Sequence, residues 1–345
     1  MTQAATLSFD DLWARIQRVF ETAGVRRETA AAVARGIASG ERDACKSHGV
    51  YRIEGCLRAL AAGKVVPNAV PKVHVSSPSV VEVDAGGGYA NAAYEAAMET
   101  LVARTRESGL AALVIRDCLH FSALWYEVEQ LAGYGLASLS MCPSYATVAP
   151  SGGDRPLLGT NPFAFGWPRV GELPYVFDFA TSVAARGEIE LHRRAGTPIP
   201  EGWAVDCHGQ PTTDPQAALD GAMLPFGGHK GSAISTMIEL LSGAMLGEFM
   251  SQEALDFNGT TSILPRHGAL ILALEPGVFA KRSGRDPIAE GERLITAIEG
   301  QGARLPSQRR FAARARALSE GIRLSAEEVE QLERFEALGL GAVAD

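Results

Sequence analysis

Val80-Val-Glu-Val-Asp-Ala-Gly-Gly-Gly-Tyr-Ala-Asn91 is the segment on which the fold assignment turns. The alternation in Val80-Val-Glu-Val-Asp84 predicts a strand. Gly86-Gly-Gly88 turns the chain, and Ala90 to Ser108 predicts a helix. A strand, a glycine turn and a helix are where a dinucleotide fingerprint, GxGxxG, would stand in the common nucleotide-binding fold. Gly86-Gly-Gly-Tyr-Ala-Asn91 lacks the last glycine, so the fingerprint fails.

On the N-terminal side the chain reads as helical. Ser8 precedes Phe9-Asp-Asp-Leu-Trp and starts a helix in which Leu12, Ile16, Val19 and Phe20 recur at helical spacing, ending at Gly24. Residues 27 to about 44 predict an alanine-rich helix, and residues 50–62 a third, stopped by Gly63. Pro67 and Pro71 mark a linker. On the C-terminal side, Ala111-Ala-Leu-Val-Ile115, Leu136-Ala-Ser-Leu-Ser-Met141, Tyr175-Val-Phe-Asp-Phe179 and Ala269-Leu-Ile-Leu-Ala-Leu274 predict strands. Residues 123–134, 231–246 and 286–299 predict helices, as does the tail from Ser325, where Glu328 is placed for a capping box. Turns dominate residues 187–224, with Pro198, Pro200, Pro211 and Pro215. The pattern predicts helical segments at both ends around a central mixed sheet, with no internal repeat.

Composition narrows the class. The chain has 345 residues, enough for two or three structural units at about 150 residues each. It is 46% hydrophobic and 21% charged, ordinary for a soluble globular protein. Net charge is −8 with no long basic run, which argues against nucleic acid and anionic membranes as partners. No apolar run reaches membrane-spanning length, and the N-terminus shows no secretory signal. Five scattered cysteines without a CxxC pair read as reduced thiols, so a cytoplasmic location is expected.

Five segments carry candidate chemistry. In Asp43-Ala-Cys-Lys-Ser-His-Gly-Val-Tyr-Arg52, His48 can move a proton near neutral pH, and Arg52 offers the planar fork that matches a carboxylate. A His-Gly at a helix start also serves as a capping or packing feature. Ser47, next to His48 in sequence, is poorly placed as its nucleophile, but can bond a substrate or orient the ring. His120-Phe-Ser-Ala-Leu-Trp125 follows a strand, where a histidine faces either a ligand or the core. Leu158-Gly-Thr-Asn-Pro162 places the donors Thr160 and Asn161 on a constrained turn. Phe177-Asp-Phe-Ala-Thr-Ser182 puts Asp178 at a strand end, to bond a ribose, hold a histidine tautomer or cap a helix. Pro225-Phe-Gly-Gly-His-Lys-Gly-Ser232 opens a helix and suits an anion, although it is not a Walker motif. No GxSxG, no HExxH and no histidine pair at ligand spacing are present, so no metal is expected.

Together and in this order, SHGxxR, His120-Phe121, LGTNP, FDxATS and PFGGHKG resemble the malate/L-lactate dehydrogenase family of the second type, from Phe9 to about Leu338. The resemblance implies an α+β fold. Its cofactor sheet would be mostly antiparallel and non-Rossmann, and a helical domain of residues 1–72 and 283–345 would flank a central unit of residues 73–282. His-Phe-Ser-Ala-Leu-Trp and the 198–214 segment resemble the Δ1-piperideine-2-carboxylate/Δ1-pyrroline-2-carboxylate reductases within that family. Leu124 and Trp125 would then form an apolar wall for a ring. The resemblance makes Ser47 and His48 catalytic, completed by an acid at Glu188 where an aspartate is usual. It makes Arg52 and Thr160 substrate contacts. Cofactor contacts would come from His120, Phe121, Ser122, Ala123, Leu124, Asp178, Phe179, Ala180, Arg186, Gly187, Gly228, His229 and Lys230, and from Pro306, Arg309 and Arg310. The late segment reads Pro306-Ser-Gln308 where Pro-Gly-Glu is usual. Arg309 and Arg310 could pair with a 2′-phosphate, which favours NADPH over NADH. The expected reaction is reduction of a cyclic 2-imino acid to L-pipecolate or L-proline in a homodimer. The alternative is oxidation of a 2-hydroxy acid such as malate, lactate or ureidoglycolate, and a third reading is a binding protein that kept the fold.

Overall fold

The computed structural model describes residues 3–344. The N-terminal part contains β1 (Ala5–Leu7), α1 (Phe9–Thr22), α2 (Arg27–Arg42) and α3 (Arg52–Ala61), with one 3-10 turn, Lys46–His48, between α2 and α3. β2 (Lys72–Ser77), β3 (Val80–Asp84), α4 (Ala90–Ser108), β4 (Leu110–Leu119), α5 (Trp125–Gly133), β5 (Ala137–Met141), β6 (Phe163–Trp167) and β7 (Tyr175–Phe179) follow. A small excursion holds α6 (Arg186–Ala195), β8 (Ala204–Val205), β9 (Pro211–Thr212), α7 (Pro215–Asp220) and β10 (Ala222–Met223). The chain returns through α8 (His229–Ile238), α9 (Ser251–Asn258) and β11 (Arg266–Leu274). It closes with α10 (Pro276–Ala280), α11 (Pro287–Glu299), α12 (Gln308–Glu320), β12 (Ile322–Leu324) and α13 (Ala326–Leu338).

The central sheet runs β2-β3-β4-β11-β5-β6-β7. It is a mixed sheet, which corrects the expectation of a mostly antiparallel one. β3 and β4 are parallel because the 19-residue helix α4 carries the chain back to the start of the next strand, as a parallel neighbour requires. The other neighbours are antiparallel. Both faces are covered, and alternate residues serve each. Leu113, Ile115 and Ile271 join α4 and α5 in one core, while Val114 and Leu270 join Ile238 of α8 in another.

A separate core joins the two ends of the chain. Leu12, Ile16, Val19 and Phe20 of α1 pack with Ile37 of α2 and Leu57 of α3, and with Ile322, Leu332 and Phe335 near the C-terminus. β1 pairs with β12, and Ser325 and Glu328 form the capping box of α13. α11 instead lies against the end of β6, where Arg169 bonds Glu292 at 2.6 and 2.8 Å. Among the described residues no single helix is long and apolar enough to cross a membrane.

Two departures from the sequence pattern matter for the site. The 231–246 helix is interrupted: α8 ends at Ile238, and a π turn, Glu239–Gly243, and a 3-10 turn, Ala244–Leu246, follow. The π turn coincides with the inward turn of Glu239, whose carboxylate accepts Asn161 Nδ2 at 2.8 Å and Ser251 N at 2.9 Å. α6 arises within the turn-rich 187–224 stretch. It buries only Ile189 and so leaves little apolar periodicity to read.

Candidate active site

The SHG segment is held from below by the last turn of α2. Glu41 has a fully buried side chain; its Oε2 accepts Val50 N at 3.0 Å, and it pairs with Lys46. Cys45 N bonds back to Gly40 O at 2.8 Å, and Ala44 takes a positive φ of 57° to reverse the chain. α2 then approaches so closely that a Cβ on Gly40 would lie 2.5 Å from the His48 carbonyl oxygen. The result is a tight turn that sets Ser47 Oγ 3.1 Å from His48 Nδ1 and lets Arg52 Nε donate to Ser47 O at 2.6 Å.

The electrostatics of that turn favour anions. Burial, then the charge of Arg52, then that of His120 pull His48 down to about 3, so the imidazole is neutral at neutral pH in the resting site. Arg52 has no acidic partner among the described residues, and burial lowers its affinity for a proton. A half-buried guanidinium without a carboxylate is an open position for one.

The His120 loop turns inward. His120 is 6% exposed; burial and Arg52 hold it down to about 4. Phe121 meets Tyr89 edge-on at 6.1 Å, and Ser122 accepts Asn91 Nδ2 at 2.8 Å. Leu124 and Trp125 are 1% and 5% exposed and belong to the sheet core, as does Ala123, so the expected apolar wall is corrected. α5 begins at Trp125, which turns its side chain inward, and Asp178 Oδ2 accepts the Trp125 N–H at 3.0 Å. Asp178 therefore caps α5. Burial pushes its carboxyl up to about 7, against the pull of the Trp125 N–H.

Two further motifs meet at the mouth of the sheet. The Thr160 carbonyl accepts both Thr181 N, at 2.8 Å, and Thr181 Oγ1, at 3.1 Å. Asn161, fully buried at φ 27°, locks the same turn through Ser144, Ser235 and Glu239. Phe226 N bonds Thr181 O at 3.0 Å, and this lays Phe179 and Ala180 beside the start of α8. There Gly227 and Gly228 have φ of 57° and 60°, and His229 and Lys230 are exposed. An open groove of about 530 Å³ runs on from His229 past Ser151, Ala233 and Met237.

The remaining predicted residues lie apart. Glu188 is exposed in the first turn of α6, and its side chain makes no hydrogen bond or ion pair among the described residues. Among the described residues His48 has Ser47 beside its Nδ1 and no bond to Glu188. Arg186 donates to Leu219 O at 3.3 Å, and Gly187 is exposed. Arg310 does not face outward, against expectation. It is buried, donates to Asp43 Oδ2 at 2.8 Å, forms an ion pair with Glu129 at 2.5 Å, and stacks 4.0 Å over Trp125. Arg309 is exposed and Pro306 half-buried. Residues the motifs did not reveal are Glu41, Asp43, Glu127 and His267. Only Glu127, on α5 just after the His120 loop, offered a signal, as an acid on a helix that is otherwise apolar inward. Among the described residues no group of three or more His, Cys, Asp or Glu converges as a metal site.

Comparison with known proteins adds independent findings. Residues 7–333 match the family model for malate/L-lactate dehydrogenase. The chain is 60% identical, over the full length of both, to a Δ1-pyrroline-2-carboxylate reductase of Agrobacterium fabrum. It is 50% identical to a Δ1-pyrroline-2-carboxylate/Δ1-piperideine-2-carboxylate reductase of Pseudomonas aeruginosa, over 84% of this chain and 87% of that one. Among solved structures, the Δ1-piperideine-2-carboxylate reductase of Pseudomonas syringae pvar. tomato superimposes with a TM-score of 0.91 at 41% identity, covering 96% of this chain and 99% of that one.

Proposed function

The chain belongs to the malate/L-lactate dehydrogenase family, and on that footing we propose that it reduces cyclic 2-imino acids with a nicotinamide cofactor. The substrates are Δ1-pyrroline-2-carboxylate and Δ1-piperideine-2-carboxylate, giving L-proline and L-pipecolate; reductases with these names are 50–60% identical to it. The observation that carries the reading is Arg52, a guanidinium beside the Ser47–His48 dyad with no acidic partner among the described residues.

The start of α8 suits a dinucleotide phosphate. Its two positive-φ glycines stand exposed at a helix N-terminus, with Lys230 exposed beside them. The bound nicotinamide would supply hydride to the C=N carbon. Arg52 grips the carboxylate and so orients that carbon, which is catalysis by positioning. The carboxylate also cancels the Arg52 charge that presses on His48. The imidazole can then take a proton and deliver it to the ring nitrogen as general acid. Ser47 orients the ring through Nδ1, and Thr160 contacts the substrate from its pinned turn. His120–Ser122, Asp178–Ala180, Arg186, Gly187 and Gly228–Lys230 line the cofactor side. With Arg310 occupied by Asp43 and Glu129, exposed Arg309 is left to meet a 2′-phosphate, and NADPH is the preferred form. We further infer a cytoplasmic homodimer with its helical unit in residues 1–72 and 283–345.

The test is a substrate panel run with NADPH and NADH. Turnover with the two imino acids is expected, and His48→Ala should lower it by about 10²–10⁴-fold. Oxidation of malate or lactate without imine reduction would replace this reading with the hydroxy-acid one.

A further inference from the structure

Behind Arg52 lies a buried pair that the dyad mechanism does not use. Glu127 is 4% exposed, and its Oε2 has no hydrogen-bond partner among the described residues. Its Oε1 sits 3.9 Å from His120 Nε2. The other ring nitrogen of His120 is 4.0 Å from Cys142 Sγ, and its ring lies 5.9 Å from that of His267. The groups that face Glu127 are few. α4 presents Tyr94, whose hydroxyl donates to the Glu127 carbonyl oxygen at 3.0 Å. β7 presents Asp178, the segment after β5 presents Cys142, and Tyr126 adjoins it on α5. No arginine or lysine pairs with Glu127 among the described residues; on the His120 side the charge of Arg52 presses on the ring, and His48 lies within its influence.

A buried carboxyl without a cation keeps its proton, and a buried imidazole without an anion stays neutral. Two such groups within about 4 Å of one another are placed to share a single proton. We propose that Glu127 and His120 form a proton-holding pair at the back of the site, with Glu127 a positioning residue that acts through the His120 imidazole. The pair carries one proton through neutral pH, either as carboxylic acid and imidazole or as carboxylate and imidazolium, with no net charge in either form. Moving between the two breaks the Glu127 O–H bond and makes an N–H bond at His120 Nε2. Loss of that proton leaves one net negative charge behind Arg52, where it opposes an anionic substrate. Burial pushes Glu127 up to about 8, which places the loss just above neutral. This inference rests on the carboxylate-substrate reading only for its effect on turnover.

The test has two arms. The His120 imidazole is followed by proton–carbon NMR against pH in the wild-type protein, assigned by comparison with His120→Gln. A shift with a midpoint near 8 is expected, and it should vanish in Glu127→Gln. In parallel, kcat/KM for the imino acid should fall several-fold through the same midpoint in the wild type and stay flat within about twofold in Glu127→Gln. A His120 signal that does not move between pH 6 and 9.5, or an unchanged inflection in Glu127→Gln, overturns the pair. The wild-type titration needs no variant to fold. An inflection without imino-acid turnover keeps the pair and overturns the functional reading; turnover without an inflection does the reverse.

Discussion

His48 is neutral at rest because three effects act in one direction: burial first, then Arg52, then His120. The sign of the consequence follows. A free-site pKa of about 3 that rises when a carboxylate covers Arg52 means that binding takes up a proton at any pH between the two values. Carboxylate affinity should therefore weaken as pH rises between the free and the bound values and level off above the bound one. Calorimetry at pH 6 in buffers of different ionisation enthalpy should show proton uptake, and a binding enthalpy independent of buffer would refute the linkage. Arg52 itself should act mainly on affinity. Arg52→Met removes charge-assisted bonds of about 1.5–3 kcal/mol, so KM should rise about 10–100-fold. A larger loss in kcat than in KM would point to a different role. At this scale much was legible, because a histidine and an arginine four residues apart declare their chemistry. That Arg52 has no acid beside it was not legible, since any acid could have been folded against it.

The element that decides the site's geometry is the junction of α2 with the 3-10 turn Lys46–His48. Gly40 lies inside α2, where alanine would ordinarily add about 0.5–1 kcal/mol of stability. A Cβ there would press on the His48 carbonyl at 2.5 Å, so the turn must shift. Gly40→Ala should lower kcat at least tenfold with no gain in melting temperature, and a more stable, fully active variant would show that the turn tolerates displacement. Elements with strong local signals were readable. The helix Ala90–Ser108 is rich in alanine and glutamate, and Ser325 with Glu328 spells a capping box. α6 and the edge strand Lys72–Ser77 were not, because one buries a single residue and the other is exposed along most of its length. α8 read too long because nothing local marks the point where Glu239 turns inward to Asn161 and Ser251.

Across the whole molecule, Asp43 ties the two chain ends to the sheet. Its side chain is fully buried and receives Arg42, Arg310 and Arg314, while Glu129 of α5 takes the same two arginines of α12. Arg310 and Arg314 in turn lie over Trp125, at the start of the helix that follows His120. Burial opposes the charge on Asp43, but the bonds from Arg314 and Arg42 outweigh it and hold the carboxyl below its usual range. A depressed carboxylate stabilises the fold above its unfolded pKa, and that contribution is lost as pH falls through the lower folded value. Asp43→Asn should cost about 3–5 kcal/mol near neutral pH, because it strands buried cations. Urea denaturation measures this, and the gap between variant and wild type should shrink at acid pH. A cost below 1 kcal/mol would mean that Glu129 alone satisfies both arginines.

The sequence by itself determined the helices at both ends, the principal strands and the order of the five motifs. These rest on local period, capping and residue chemistry, which a short window contains. Only the tertiary structure decided that β3 and β4 run parallel, that Trp125 and Arg310 face inward, and that Glu127 lies against His120. Each of these depends on partners far apart along the chain, such as Asp43 with Arg310 at a separation of 267 residues. Spacing cannot report which of several charged groups is buried with which, because burial and pairing are set by packing and not by neighbours in sequence.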